Sequence, residues 1–177
     1  MSHRHLALLR AINTGKRRVT NDQLVAAFAN LGFGGARAYQ ASGNVLFDGA
    51  DRDPVALRDL LEAGLVGELG FDVPAIVRTA AEIHGVADDV PFSAAELASL
   101  PGGKMQVIFC DHEPEQTLVE SFLDDGPDLL RVRGEQVYWL PEAGISTSTL
   151  RVGAMPAALG RVTVRTHGAV QRMAKLL

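Results

Sequence analysis

The sequence predicts an α+β protein built from two tandem ferredoxin-like plaits, joined by a short helical segment and followed by a C-terminal helix. Two observations predict this class. Strand-length apolar runs alternate with capped, helix-length amphipathic runs in the order β-α-β-β-α-β over 5–78, and the same order returns after 104. A chain of 177 residues is also long enough for two small domains. We therefore expect an N-terminal plait (1–78), a helical connector (79–104) and a C-terminal plait with a tail helix (105–177).

Helix caps mark the first plait. Thr20 and Gln23 form a capping box before an apolar i, i+4, i+7 pattern, and Gly32 follows it. Asp53 and Pro54 begin a second helix, as N-cap and first helical residue. Strands are predicted at 6–12, 37–40, 44–47 and 73–78, with a turn at 34–35 and a tight hairpin at 41–43.

The connector and the second plait are marked in the same way. The sequences 79–82 and 93–96 are capping boxes, so two short helices are expected. Strands are predicted at 105–111, 129–132, 137–140 and 161–165. Helices are predicted at 115–124, in part of 148–159 where Pro156 breaks or restarts the helix, and at 168–177. No identity between the halves is evident, so the repeat is one of element order alone.

Composition excludes several classes. Hydrophobic residues make up 47% and charged residues 21%, as in ordinary globular proteins. The net charge of −4 argues against a surface that tracks nucleic-acid backbones throughout. No apolar run is long enough to span a bilayer, and the N-terminus lacks a signal-peptide core. A single cysteine, Cys110, permits no internal disulfide. These features predict a cytosolic protein without a membrane partner.

The candidate ligand site lies where the first strand ends. Three cations, 16–18, follow a glycine and precede the capped helix, and in plait topology the 41–43 hairpin lies at the same end of the sheet. Donors with close backbone approach suit a small anion such as a phosphate-bearing metabolite. An ordinary solvated turn is the competing interpretation. The predicted ligand-binding residues are Asn13, Gly15, Lys16, Arg18, Ser42 and Asn44.

Other chemistries find little support in the sequence. No catalytic set can be named, so a binding protein and an enzyme acting on such a ligand both stay open. No metal-ligand set or cofactor motif is present, and we predict neither a metal nor a cofactor. The strands lack the aromatic signature of RNA-binding plaits. An interaction module and an RNA-binding plait protein, both without catalysis, remain alternatives, with nucleic acid the less favoured partner.

The first strand is apolar on both faces, as is the run beginning at 105. A sheet that buries both faces must be covered on the side without helices. We expect the other plait or a second subunit to supply that cover, and the second case would make the protein a homo-oligomer through a sheet face.

Three stretches resemble one bacterial family. The motifs are LLRAINTGK at 8–16, YQASGNVLF at 39–47 and VPAIVRTA at 73–80, followed by Pro91 and Phe92. Together they resemble the domain of unknown function 1697, over nearly the whole chain. The resemblance implies a two-subdomain α+β fold with plait-like halves, and it implies no established activity.

The chain departs from that family at three places. Ala11 stands where members usually have glycine, and their glycine pair and lysine are reduced to Gly15 and Lys16. Near the C-terminus the family's Arg-Asn-Trp-x-Thr-Val pattern becomes RTHGAV at 165–170. A site built on that turn would be altered in this protein.

Overall fold

A computed structural model of the chain describes residues 4–13, 15, 17–40, 43–100 and 104–177. The chain divides into two compact units, Met1–Val86 with Arg172–Leu177, and Ala87–Gln171. Within the described residues the fold is α+β, with two four-stranded antiparallel sheets and seven α-helices. No helix among these residues is both long and apolar enough to cross a membrane.

The first unit contains one sheet and two long helices. Its strand order is β2-β3-β1-β4, with every neighbouring pair antiparallel. The connecting helix α3 follows the last strand without a loop. The elements are β1 (Arg4–Leu9), α1 (Asn21–Asn30), β2 (Gly34–Tyr39), β3 (Asn44–Asp48), α2 (Pro54–Leu69), β4 (Ala75–Thr79) and α3 (Ala80–Asp88).

The helix ends in this unit follow the caps read from the sequence. The hydroxyl of Thr20 accepts from the backbone N–H of Gln23, whose side chain accepts from the N–H of Thr20, and this confirms the capping box. Asp53 caps α2 with Pro54 as its first residue, and Gly70 ends it in the left-handed conformation. Caps of this kind satisfy backbone groups that a helix end leaves unpaired.

Two strand boundaries differ from the prediction. β1 ends at Leu9 rather than at Ile12, because the backbone at Ala11 takes a positive φ of 59°, which no strand permits. The predicted turn at 34–35 instead begins β2, with an irregular register between Gly34 and Arg37. The apolar pattern alone could not reveal either feature.

Both faces of β1 are buried. Ala7 and Leu9 belong to the core beneath α1 and α2, which includes Phe28, Phe47 and Leu61. The alternate residues of β1 point to the opposite face, and they too are fully buried: Leu6 and Leu8. Both faces of β1 are thus buried, while the cover expected from the other plait or a second subunit stays a prediction.

The second unit repeats the strand order with shorter helices. Its sheet runs β6-β7-β5-β8, again antiparallel throughout. As predicted, Pro156 restarts a helix after a single 3₁₀ turn at Val152–Ala154. The elements are α4 (Ala94–Ser99), β5 (Gln106–Cys110), α5 (Gln116–Glu120), β6 (Leu129–Arg133), β7 (Gln136–Leu140), α6 (Pro156–Leu159), β8 (Val162–Thr166) and α7 (His167–Ala174).

A buried carboxylate organises the loops of the second unit. Asp128 is only 9% exposed and accepts from the indole N–H of Trp139 at 2.8 Å. It also accepts from the hydroxyl of Ser148 and from the backbone N–H of Glu142. Trp139 itself lies in the core of this unit with Ile108. Three donors on one carboxylate tie three chain segments to the core.

The face of the second sheet that points away from its core cluster is covered in part by residues that precede the sheet in the chain. Glu96 of α4 pairs with Arg131 of β6 at 2.7 Å, and that guanidinium lies 5.7 Å from the ring of Phe92. Asp89 is hydrogen-bonded to Tyr138 of β7. The sequence pattern indicated a covered face, but not that residues between 87 and 100 would supply part of the cover.

A short sequence repeat ends the fourth strand of each unit. Arg78 donates to the carbonyl of Val77 at 3.0 Å, and Arg165 donates to the carbonyl of Val164 at 2.8 Å. In both cases a threonine follows and its hydroxyl caps the next helix, accepting from the N–H three residues later at 3.2 Å. The halves therefore share a Val-Arg-Thr motif, 77–79 and 164–166, so the view that they share element order alone was wrong.

Candidate functional site

The candidate site lies where β1 ends beside the β2–β3 hairpin. The backbone N–H of Leu9 donates to the carbonyl of Gly43 at 2.7 Å. A Cβ built on Gly43 would lie 3.0 Å from the Leu9 carbonyl oxygen and 3.4 Å from the Cβ of Ile12. The hairpin and the loop after β1 are therefore adjacent, and only glycine fits this approach with its φ of 69°.

The loop after β1 has an unusual backbone. Ala11, Asn13 and Gly15 have φ angles of 59°, 57° and 56°, and Ile12 between the first two is not among the described residues with positive φ. Asparagine and glycine enter this left-handed region readily, whereas alanine does so at a cost of about 1–2 kcal/mol. Alternation of φ sign turns successive backbone N–H groups toward one side, a geometry that forms anion-binding concavities in proteins.

The side chain of Asn13 closes this loop. Its carbonyl oxygen accepts from the N–H of Val19 at 2.9 Å, and its amide donates to the carbonyl of Val19 at 3.1 Å. Arg18 donates to the backbone carbonyl of Asn13 at 3.2 Å. Asn13 and Arg18, both predicted site residues, thus lie together, with Asn13 fixing the shape of the loop.

Two arginines of this loop stay in solvent. Arg17 and Arg18 are both exposed, and the guanidinium of Arg17 lies 4.9 Å from the ring centroid of Phe71. Neither arginine forms an ion pair with a carboxylate in the described part of the chain. Their charge is therefore available at the surface, where an anion in solution can reach it.

The remaining predicted residues differ in their surroundings. Asn44 is 1% exposed and donates to the carbonyl of Tyr39 at 3.2 Å, which closes the hairpin from within. Gly15 is exposed. Lys16 and Ser42 lie outside the described residues. Asn44 is therefore held as a structural amide, while Gly15 and Arg18 face solvent.

The start of α1 contributes less than the sequence suggests. Thr20 already uses the N–H of Gln23, and Asp22 places an acidic side chain in the first turn. A carboxylate at this position partly offsets the positive end of the helix dipole. An anion at this loop would therefore be held by the loop backbone and its cations rather than by the helix.

The second location of interest is the turn at 165–167. Burial lowers the pKa of the Arg165 guanidinium to about 10, which still leaves it charged at neutral pH. Burial, together with the carboxylate of Asp89, raises the pKa of the Tyr138 hydroxyl, and the ring of His167 lies 6.2 Å from that of Tyr138. Among described residues no three acidic, histidine or cysteine side chains are grouped as a metal site would need. Sequence reasoning missed the Tyr138 contacts because their partners lie far apart in the chain.

Fold and site together define an α+β protein with two four-stranded antiparallel sheets and a cationic, left-handed loop at the end of its first strand. The family model described as "Protein of unknown function (DUF1697)" matches residues 2–138. The chain belongs to this family, as the motifs at 8–16 and 39–47 predicted. Curated proteins give no match.

A solved structure has the same fold. The conserved bacterial protein SP0830 from Streptococcus pneumoniae aligns with a TM-score of 0.75 at 19% identity, over 99% of this chain and 98% of that one. At this identity the likeness concerns the fold. It extends over both units, including the part of the chain after residue 138 that the family model does not match.

Proposed function

We propose that this protein binds a small phosphate-bearing anion at the loop after β1. The observation that carries the proposal is the left-handed backbone at Ala11, Asn13 and Gly15, next to two exposed arginines with no carboxylate partner in the described residues. Backbone N–H groups on one side of a loop and mobile cations at its rim are the two elements of a phosphate cradle.

The predicted residues take different parts in this binding. Asn13 keeps the loop closed through Val19, and Gly15 lets the backbone approach the anion. Lys16 and Arg18 supply charge, and Ser42 supplies a hydroxyl from the neighbouring hairpin. Asn44 holds that hairpin in place by its bond to Tyr39. Binding of this kind needs neither a cofactor nor a metal.

We further infer that each unit is a ferredoxin-like plait, with 79–104 as a connector between plaits at 1–78 and 105–177. The strand order, second-third-first-fourth in each sheet, supports this inference, as does the placement of the longer helices on one face of the first sheet. A bacterial, cytosolic setting fits the single buried cysteine, Cys110.

A thermal-shift screen tests the ligand proposal. Inorganic phosphate, nucleotides, sugar phosphates and a short single-stranded RNA are each added to the protein. A ligand at 100 times its dissociation constant stabilises the native state by about 2.7 kcal/mol, which raises the melting temperature measurably. The double variant Lys16→Glu with Arg18→Glu should then lose about a hundred-fold or more in affinity, because each of the two charge-assisted contacts contributes about 1.5–3 kcal/mol.

The matched control is Arg52→Glu with Lys175→Glu, which makes the same change in net charge at exposed positions outside this loop. It should bind as the wild type does. Equal losses in both double variants would mean that net charge alone attracts the anion, and unchanged affinity in the loop variant would move the site elsewhere.

Two alternatives have distinct outcomes in the same screen. Stabilisation by RNA but by no mononucleotide would favour an RNA-binding plait without catalysis. A protein that no small anion stabilises, and whose mass in solution is twice that of the chain, would favour an interaction module that forms a homo-oligomer through a sheet face. Conversion of a bound ligand to product would make the protein an enzyme.

A further inference from the structure

Residues 87–100, here called the strap, lie through few contacts against the face of the second sheet that points away from its core cluster. The helix of the strap, α4, buries none of its side chains. The buried apolar residues of the strap are Ala87, Phe92 and Leu100, which are 5%, 5% and 6% exposed. Between Phe92 and Leu100, Glu96 forms an ion pair with Arg131 of the sheet, and the two side chains are 31% and 37% exposed. A short, solvated helix held at few points opens at a low free-energy cost.

The strap contacts the second sheet at Arg131 and Tyr138, which belong to a row of residues paired across the strands. Four residues are paired in register across the sheet. Arg131 of β6 lies opposite Tyr138 of β7, and Val107 of β5 lies between Tyr138 on one side and Arg165 of β8 on the other. Residues paired in register share one face of a sheet, so the row crosses all four strands. Arg133, two residues beyond Arg131, lies on the same face and acts electrostatically on Tyr138.

The strap meets this row with complementary groups. The carboxylate of Glu96 accepts from the Arg131 guanidinium at 2.7 Å, while the ring of Phe92 lies 5.7 Å from it. The carboxylate of Asp89 pairs with the hydroxyl of Tyr138. Two carboxylates of the strap, with an aromatic ring between them in sequence, thus contact Arg131 and Tyr138, as an acidic peptide bound from outside would.

We propose that Arg131 and Tyr138 form a docking surface for an acidic, aromatic-containing segment of a partner protein, and that the strap is its intramolecular occupant. The partner segment displaces the strap, while the sheet stays folded. The strap favours a peptide over a nucleic acid as the partner, because its own carboxylates and phenyl ring show which groups this surface accepts.

Hydrogen exchange tests the opening of the strap. Amides of α4, such as that of Leu97, should exchange by local opening much faster than amides of β5 and β7. Glu96→Gln keeps the capping interaction with Ser93 but removes the charge, so exchange in α4 should rise about two- to five-fold while β5 and β7 stay protected. Asp124→Asn, which removes the exposed ion pair with Arg151, is the control and should leave α4 unchanged.

Peptide binding tests the docking surface. A fluorescent peptide with the sequence of 87–100 is titrated into the full chain carrying Phe92→Ala and Glu96→Gln. It should bind this variant at least about ten-fold more tightly than the wild type, in which the tethered strap competes at an effective concentration on the order of millimolar. A peptide carrying Asp89→Asn and Glu96→Gln should lose about ten-fold or more, because both charge-assisted contacts are gone.

The outcomes are separable. If α4 exchanges only with global unfolding, no strap opens and the proposal fails. If the opened variant binds a single-stranded oligonucleotide but not the peptide, the surface recognises nucleic acid and the proposal is overturned, as it is when the variant binds neither. If the double variant fails to fold, the single variant Glu96→Gln is titrated in its place. It must then bind the peptide more tightly than the wild type does.

Discussion

The two units share a strand order, yet they close their cores in different ways. In the first unit the helices α1 and α2 run for 10 and 16 residues and cover the sheet with apolar side chains. In the second unit α5 and α6 run for only 5 and 4 residues. There the carboxylate of Asp128 holds the loops that replace helix. A core that lacks long helical cover can be closed by a buried polar network, provided every donor and acceptor is paired.

The largest effect is expected in the helix-covered unit. Leu61→Ala removes a fully buried side chain of α2 and leaves a cavity beneath the helix. Large-to-small core changes of this kind cost about 3 kcal/mol. Urea unfolding should show a lower midpoint. The control is Leu60→Ala, since Leu60 is 50% exposed on the same helix and should lose far less. Equal losses in both variants would mean that α2 contributes through its propensity and not through its packing.

A somewhat smaller effect is expected in the loop-closed unit. Asp128→Ala leaves the indole N–H of Trp139 and the N–H of Glu142 without their acceptor, at a cost of about 2 kcal/mol. The unfolding midpoint and the near-ultraviolet signal of Trp139 measure it. Asp125→Ala, at an exposed neighbouring position, should change neither. If both aspartate variants keep wild-type stability, the polar network does not close this core.

The sequence predicted the helix ends well and the polar network not at all. Thr20, Asp53 and Ser93 are capping residues whose partners lie two or three positions away, so local chemistry identifies them. Trp139 and Asp128 are 11 residues apart, and Ser148 and Asp128 are 20 apart. Contacts at such separations depend on how the loops fold back on the sheet, which periodicity does not encode.

A stabilising change is expected at the loop after β1. Ala11 is sterically strained at its φ of 59°, whereas glycine adopts this angle without strain. Ala11→Gly should therefore stabilise the protein by about 0.5–1 kcal/mol, after the larger entropy that glycine loses on folding is subtracted. The urea midpoint should rise. The contrasting variant is Ala29→Gly in α1, where glycine should destabilise by a similar amount because the backbone is helical. A fall in stability for Ala11→Gly would show that this loop relaxes away from positive φ.

The smallest effect concerns the attachment of α4 in the second unit. Hydrogen bonds from Ser93, and then the charge of Arg131, hold the pKa of the Glu96 carboxyl below its ordinary value of 4.5. Because the pKa of Glu96 is lower in the folded than in the unfolded protein, its stabilising contribution is fully present at pH values above the unfolded-state pKa. The contribution is lost as the pH falls through the folded-state pKa. The local opening of α4, measured by hydrogen exchange, should therefore increase in the wild type only below about pH 4.5. Glu96→Gln should show no such dependence, and a rise near pH 6 would point to another group.

The sequence predicted which two loops are neighbours, but not their conformations. Plait topology placed the loop after β1 and the β2–β3 hairpin at one end of the sheet, and Gly43 does contact the end of β1. The sequence did not predict that Asn13 closes the loop by its hydrogen bonds to Val19, or that Asn44 is buried. Both follow from side-chain hydrogen bonds that polar residues can make in several alternative ways.

The Val-Arg-Thr motif at 77–79 and 164–166 gives the two units one local structure in common. The same three residues end the last strand of each half, and the same two hydrogen bonds accompany them. Arg78 and Arg165 therefore occupy equivalent positions, one in each unit. Each unit supplies an internal reference for the other, because the same substitution at both positions compares one motif in a unit with long helices and in a unit with short ones.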